Sequence, residues 1–376
     1  MRSVSRCLFP AMFLALLSAC GGKPEGEAAG GSAAAEEKTV VIYNWSDYIG
    51  DTTTADFEAR TGIKVIYDVM DSNEVLETKL LAGRTGYDIV VPTAPFLERQ
   101  IKTGVFLKLD KSKLPNLANM DPEIMKRTAL HDPGNEHSIT YLWGTIGLGY
   151  NKDMVRKALG TDTIDSWSAI FEPKNAAKLA KCGITILDAP TDVFGSVAIY
   201  KGLDPNSEKP EDLAVVEETL TKIRPYVKYF HSSSYINDLA AGEVCVSLGW
   251  SGDVLQARDR GAAAAKPVTI AYVIPKEGAI NYFDMMAIPA DAPHPGNAHA
   301  FLNFLMEPAV IAKVSDKVRF ASGNAAALPL VNEAMRNDPN VYPSDEVRAR
   351  LHPDLAESPA FSRDLNRAWT RIRTGQ

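Results

Sequence analysis

Apolar residues in this chain come in short runs separated by amphipathic stretches. Thr39-Val40-Val41-Ile42-Tyr43, Ile63-Lys64-Val65-Ile66-Tyr67 and Tyr87-Asp88-Ile89-Val90-Val91 read as strands. The last is nearly continuous in apolar character, as buried parallel strands are. Helical patterns fall between them. One runs from Asp51 or Thr52 to Arg60, with Gly62 placed to stop it. Another runs from Val75 to Gly83, where Asp71 fits an N-cap and Glu74 completes a capping box. From Ser138 the alternation resumes, with extended runs at 139–143 and 146–150 and helical stretches around 152–158 and 173–181. A strand at 183–187, helices at 193–200 and 211–223, a run at 227–230, a helix at 235–241 and a strand ending at Trp250 complete the series. Strands alternating with helices predict an α/β fold built on doubly wound parallel sheets.

The chemistry gathers where these strands end, the edge at which open α/β sheets present ligand sites. The turns are Trp45-Ser46-Asp47-Tyr48, Asp188-Ala189-Pro190-Thr191-Asp192, Trp250-Ser251-Gly252-Asp253 and Tyr282-Phe283-Asp284. Pro92-Thr93-Ala94-Pro95 is a further strand-to-helix turn on the same edge. Carboxylates beside aromatic faces suit an organic cation, which takes both a counter-charge and a π surface. One such turn alone equally fits core aromatics beside a capping Asp. Their recurrence after strand-like runs suggests several acids converging on one cleft. With no Lys or Arg in these turns, the positive charge there should come from a ligand.

The chain ends modify this picture. Arg2 and Arg6 precede an apolar stretch, Leu8 to Leu17, that is shorter than the roughly 20 residues of a membrane span. Leu17-Ser18-Ala19-Cys20 closes it like a lipobox, so residues 1–19 are expected to be a lipoprotein signal and Cys20 the lipid-bearing start of the mature chain. Residues 20–37, rich in Gly, Ala and Glu, read as a flexible tether. Loss of Arg2 and Arg6 takes the formal net charge from -7 to -9, which argues against nucleic acid as a partner. What remains is long enough for two domains. Cys182 and Cys245 are then the remaining cysteines, and in an oxidising compartment such a pair is expected to be bridged.

Other chemistries find little support. The six histidines are scattered without metal-binding helical spacing, no G-x-S-x-G elbow occurs, and no cofactor is implied. Gly144-Thr145-Ile146-Gly147-Leu148-Gly149 sits within extended segments and opens no helix, so close backbone packing explains it better than nucleotide binding. A carboxylate-pair hydrolase is a rival of another class, but no second type of catalytic group accompanies the acids. An iron-binding variant would want clustered tyrosines, which these turns lack.

Longer motifs carry a resemblance. Ile42-Tyr43-Asn44-Trp45-Ser46-Asp47-Tyr48-Ile49, Tyr235-Ile236-Asn237-Asp238-Leu239-Ala240, Gly249-Trp250-Ser251-Gly252-Asp253-Val254 and Ile274-Pro275-Lys276-Glu277-Gly278-Ala279 resemble the periplasmic polyamine-binding proteins of ABC transporters, and most of all their putrescine-binding branch. The similarity runs from about Lys38 to the C-terminus. It implies a two-lobed, type II periplasmic-binding-protein fold, each lobe a doubly wound, mostly parallel sheet, with a hinge of crossing strands. One lobe would hold 38–141 and 280–316, the other 142–279 and 317–376. The ligand would lie between them, its ammonium groups held by Asp47, Asp253 and Asp284 and its alkyl chain flanked by Trp45 and Trp250. Ser46 and Tyr48 also match the family's site, and Cys182–Cys245 matches its disulfide. Four positions differ from the putrescine pattern: Thr93 for Ser, Asp192 for Glu, Tyr282 for Phe and Phe320 for Tyr. They bear on ligand length rather than class. The reading is a lipid-anchored, monomeric protein that captures putrescine or a related polyamine and passes it to ABC permease subunits. Spermidine or agmatine preference and a receptor-docking sensor are its alternatives.

Overall fold

The computed structural model describes residues 36–375, and Glu36–Gln376 forms one compact unit. The expected signal, Cys20 and all but the end of the tether lie outside the described residues. Glu36 and Glu37, assigned to the tether, are held in place. The Glu36 carboxylate accepts from the backbone N–H groups of Gly296 and Asn297 at 2.9 and 3.0 Å, at the start of helix Pro295–Leu305. An anion there offsets the helix dipole and satisfies orphan donors.

Among the described residues eleven strands build the sheet: β1 (Thr39–Trp45), β2 (Lys64–Met70), β3 (Ile89–Val90), β4 (Ser138–Asn151), β5 (Ile184–Ile186), β6 (Val227–Phe230), β7 (Val246–Trp250), β8 (Ile270–Val273), β9 (Ala279–Ala287), β10 (Ala321–Ser322) and β11 (Leu351–Pro353). Their order is β2-β1-β3-β9-β4-β7-β5-β6, with β8 and β10 also on β4 and β11 on β9. The outer triplets β2-β1-β3 and β7-β5-β6 are parallel, as their βα patterns predict. Antiparallel pairing is confined to the middle, where β9 and β4 cross between the halves. This is the expected type II arrangement.

The two extended runs at 139–143 and 146–150 are one strand. β4 pairs with β9 through Thr145 and with β7 from Ile146, so a single strand serves both halves. Its glycines permit that crowding. A Cβ on Gly147 would come within 2.4 Å of the Val273 carbonyl oxygen, and one on Gly149 within 2.6 Å of Val254.

Local signals act mostly as read. Gly62 ends helix Thr53–Thr61 in the left-handed conformation at φ 69°. The expected cap at Asp71 is displaced by one residue. Ser72 caps helix Asn73–Ala82, accepting from the Val75 N–H at 3.2 Å, while Asp71 reaches across the cleft to the Ser233 hydroxyl at 2.5 Å. Cys182 and Cys245 are bridged, with Cα atoms 5.4 Å apart. The helix expected at 193–200 begins earlier, with Pro190 in its first turn, where a missing N–H costs nothing.

Candidate functional site

Strand ends from both halves meet in one cavity of about 50 Å³. The first half contributes Trp45, which closes β1, then Ser46 and Tyr48 on the following turn, and Thr93 after β3. Thr93 bridges to Asp284 on β9, two residues beyond Tyr282. The second half contributes Trp250, the end of β7, with Asp192 and Asp253 in the first turns of helices Pro190–Tyr200 and Ser251–Ala262. Phe320, which precedes β10, closes the floor at 2% exposure.

Each acid is aimed by a polar partner. The Tyr48 hydroxyl donates to Asp284 at 2.6 Å, the Tyr235 hydroxyl to Asp253 at 2.8 Å, and the Trp250 indole N–H to Asp192 at 2.8 Å. Those partners are themselves fixed. Tyr48 is held through its carbonyl, which accepts from the Tyr141 hydroxyl at 2.8 Å and from the Asn44 side chain at 3.2 Å. The Trp45 indole N–H donates to the Val91 carbonyl at 2.9 Å. Rings that could swing are therefore locked before a ligand arrives, which lowers the ordering cost of binding.

Burial dominates the electrostatics. It raises the carboxyls of Asp192 and Asp253 to about 7 and that of Asp284 to about 8, against the hydrogen bonds each receives. Asp192 and Asp253 add like-charge repulsion at Asp284. No Lys or Arg lines the cavity among the described residues. A guest bearing positive charge is what such a set of acids accommodates.

The cavity gathers every residue singled out in the sequence except Asp47. Asp47 sits outside with a positive φ of 55°, its carboxylate bound to Arg260 at 2.7 Å, so its expected place on an ammonium is taken by a guanidinium. The two tryptophans also differ from two walls with a chain between them. Their centroids are 5.8 Å apart at 65°, so they touch and form an aromatic corner. Sequence reasoning passed over Tyr235, Ser233 and the Asp71–Asn73 turn. Tyr235 lies in a quoted motif, yet its role is to orient Asp253, which no local pattern reveals.

Residues 52–343 match the family model of the bacterial extracellular solute-binding proteins. The chain belongs to that family. This solute-binding protein is 52% identical to the putrescine-binding periplasmic protein SpuD of Pseudomonas aeruginosa, over 93% of its own length and 96% of the relative's. It is 51% identical to the putrescine-binding periplasmic protein PotF of Escherichia coli, over 92% and 94% of the two chains. Among solved structures, a putative spermidine/putrescine ABC transporter protein of Listeria monocytogenes superposes with a TM-score of 0.81 at 30% identity, covering 90% of this chain and all of that one. Members of this family bind solutes rather than transform them.

Proposed function

We propose that this protein is the periplasmic receptor of an ABC transporter and captures putrescine or a closely related polyamine. The observation that carries the reading is the cavity in which Asp192, Asp253 and Asp284 stand among aromatic rings with no Lys or Arg in the lining among the described residues. An α,ω-diammonium ion presents charge at both ends and methylenes between, which matches acids set around an apolar corner. Each cation–π contact contributes about 0.5–2 kcal/mol and each charge-assisted hydrogen bond about 1.5–3 kcal/mol. Micromolar affinity needs about 8 kcal/mol net, so a few such contacts suffice after desolvation and ordering. The names of the relatives support the same ligand class.

Capture takes place between two lobes, 38–141 with 280–316 and 142–279 with 317–376. Neither lobe supplies all the acids, so closure completes the cage. Lipid on Cys20 keeps the monomeric receptor at the membrane beside its permease. Competition calorimetry with putrescine, cadaverine, spermidine and agmatine tests the ligand. Micromolar or tighter binding of one of them is expected, and failure of all four overturns the proposal. Replacing Cys20→Ser should release the protein into the soluble periplasmic fraction, and retention in the membrane fraction would rule out the anchor.

A further inference from the structure

One carboxylate on the cavity wall is held from outside the cavity. Asp188 lies two residues beyond β5, on the turn that leads into helix Pro190–Tyr200, whose first turn carries Asp192. Asp188, Thr191 and Asp192 all line the amine cavity. The Asp188 carboxylate takes its partners from the C-terminal helix, Pro359–Thr374. The Trp369 indole N–H donates to its Oδ1 at 2.8 Å. The Arg373 guanidinium donates to the same oxygen at 3.0 Å and stands 2.7 Å from Oδ2. The Asp188 backbone N–H in turn donates to the Ser232 hydroxyl at 3.2 Å, so both ends of the residue are fixed.

The helix that supplies these donors is itself tightly seated. Phe361, Leu365, Ala368, Trp369 and Ile372 recur at helical spacing and form its buried stripe. Ser358 caps its start, accepting from the Phe361 N–H at 3.2 Å. The Phe361 ring meets Phe194 of helix Pro190–Tyr200 edge-on at 5.3 Å, and Trp369 meets Phe230, the end of β6, edge-on at 5.2 Å. Arg224 fastens the other end, donating to the Arg373 carbonyl at 2.9 and 3.1 Å. The C-terminal helix thus braces the segment that bears Asp192 at two points, the Asp188 carboxylate and the Phe194 ring.

We propose that Trp369 and Arg373 are positioning residues for amine binding, which hold Asp188 and so fix the turn that places Asp192 against the Trp250 indole. They meet no ligand and act through the turn. The inference rests on the polyamine reading above and extends it to residues outside the cavity. The same helix supplies a matched control. Arg371 lies 2.7 Å from Glu217, with side chains 49% and 26% exposed, against 2.7 Å and 47% and 30% for Arg373 and Asp188. Solvent screens both pairs alike, so each adds little to stability. Of the two acids only Asp188 lines the amine cavity among the described residues.

Putrescine calorimetry and thermal melts of the wild type, Arg373→Met, Arg373→Lys, Trp369→Phe and Arg371→Met test it. Arg373→Met and Trp369→Phe should each weaken putrescine binding at least about fivefold. Arg373→Lys keeps the charge and should stay within about twofold of wild type. Arg371→Met should also bind within about twofold, although its melting temperature falls as far as that of Arg373→Met. Equal affinities in Arg373→Met and Arg371→Met overturn the positioning role and leave amine binding standing. Tighter binding by Arg373→Met overturns it too, because Arg373 would then act by masking the Asp188 charge. Unchanged affinity in Trp369→Phe removes that residue from the role. A wild type that binds none of the four amines named above overturns the polyamine reading itself.

Discussion

The Arg260 guanidinium lies 2.7 Å from the Asp47 carboxylate, tying the turn after β1 to the helix that carries Asp253. Arg260 also donates to Asn237 at 2.8 Å, and Gln256 donates to the Asp47 carbonyl at 3.4 Å. Asp47 is thus a clasp across the cleft rather than a wall of the cavity. The side chains are 34% and 39% exposed, so solvent screening holds the pair to no more than about 1 kcal/mol. Asp47→Asn should therefore weaken putrescine binding by less than about fivefold, with the difference fading in high salt. Asp253→Asn, at a 6% exposed position, should cost at least tenfold at any salt. Calorimetry of both variants at low and high salt decides the matter, and a tenfold loss in Asp47→Asn would restore that residue to the ligand.

The elevated carboxyls predict an unusual pH response. Folding raises Asp284 to about 8 and Asp192 and Asp253 to about 7, above the ordinary carboxylate value of about 4. The native, ligand-free protein therefore binds more protons than the unfolded chain between those limits. By linkage this contribution to stability grows as pH falls from about 8 toward 4. Binding of a diammonium ion requires the same groups ionised, so affinity moves the other way and weakens below about pH 7. Thermal melts of the free protein against Asp284→Asn should show the wild type gaining on the variant between pH 8 and pH 5.5. Titrations in buffers of different ionisation enthalpy should show proton release on binding near pH 7. Binding without proton release would mean these acids are already ionised or do not meet the ligand.

The disulfide joins the opposite ends of the same strands. Cys182 precedes β5 and Cys245 precedes β7, whereas the cavity lies beyond their other ends at Asp188 and Trp250. Its contribution should be to the fold alone, about 4 kcal/mol for a 63-residue loop in the chain-entropy treatment. The double variant Cys182→Ser/Cys245→Ser should unfold at markedly lower denaturant while binding putrescine within twofold of wild type. Loss of affinity without loss of stability would reverse the assignment.

What was legible in the chain follows physical range. The βα order of both halves was visible because burial on both faces leaves continuous apolar runs such as 87–91. The acids were visible because strand ends bring them to one edge, so Trp45, Asp192, Trp250 and Asp284 meet as their positions suggested. Ser72 takes the cap expected of Asp71 because two adjacent residues can each cap a helix, and Asp71 instead accepts from the distant Ser233 hydroxyl. Arg260 stayed hidden for a similar reason. It meets Asp47 across 213 residues. Local patterns hold no trace of that contact.

Gly252 sets the floor of the cavity by having no side chain. A Cβ there would come within 2.3 Å of the Phe320 ring atoms Cδ2 and Cε2. That ring has no retreat. It packs edge-on against Tyr48 at 5.1 Å and against Tyr282 at 6.5 Å, and Tyr48 is the residue that orients Asp284. In an open helix Gly→Ala would stabilise by up to about 1 kcal/mol, but overpacking costs about 1–3 kcal/mol and should prevail. Gly252→Ala is therefore expected to lower the melting temperature and to weaken putrescine binding at least tenfold as Phe320 pushes Tyr48 off Asp284. Adding Phe320→Leu to Gly252→Ala returns the lost room, so the double variant should melt above the single one. A single variant as stable and as tightly binding as wild type would show that Phe320 does not brace the site.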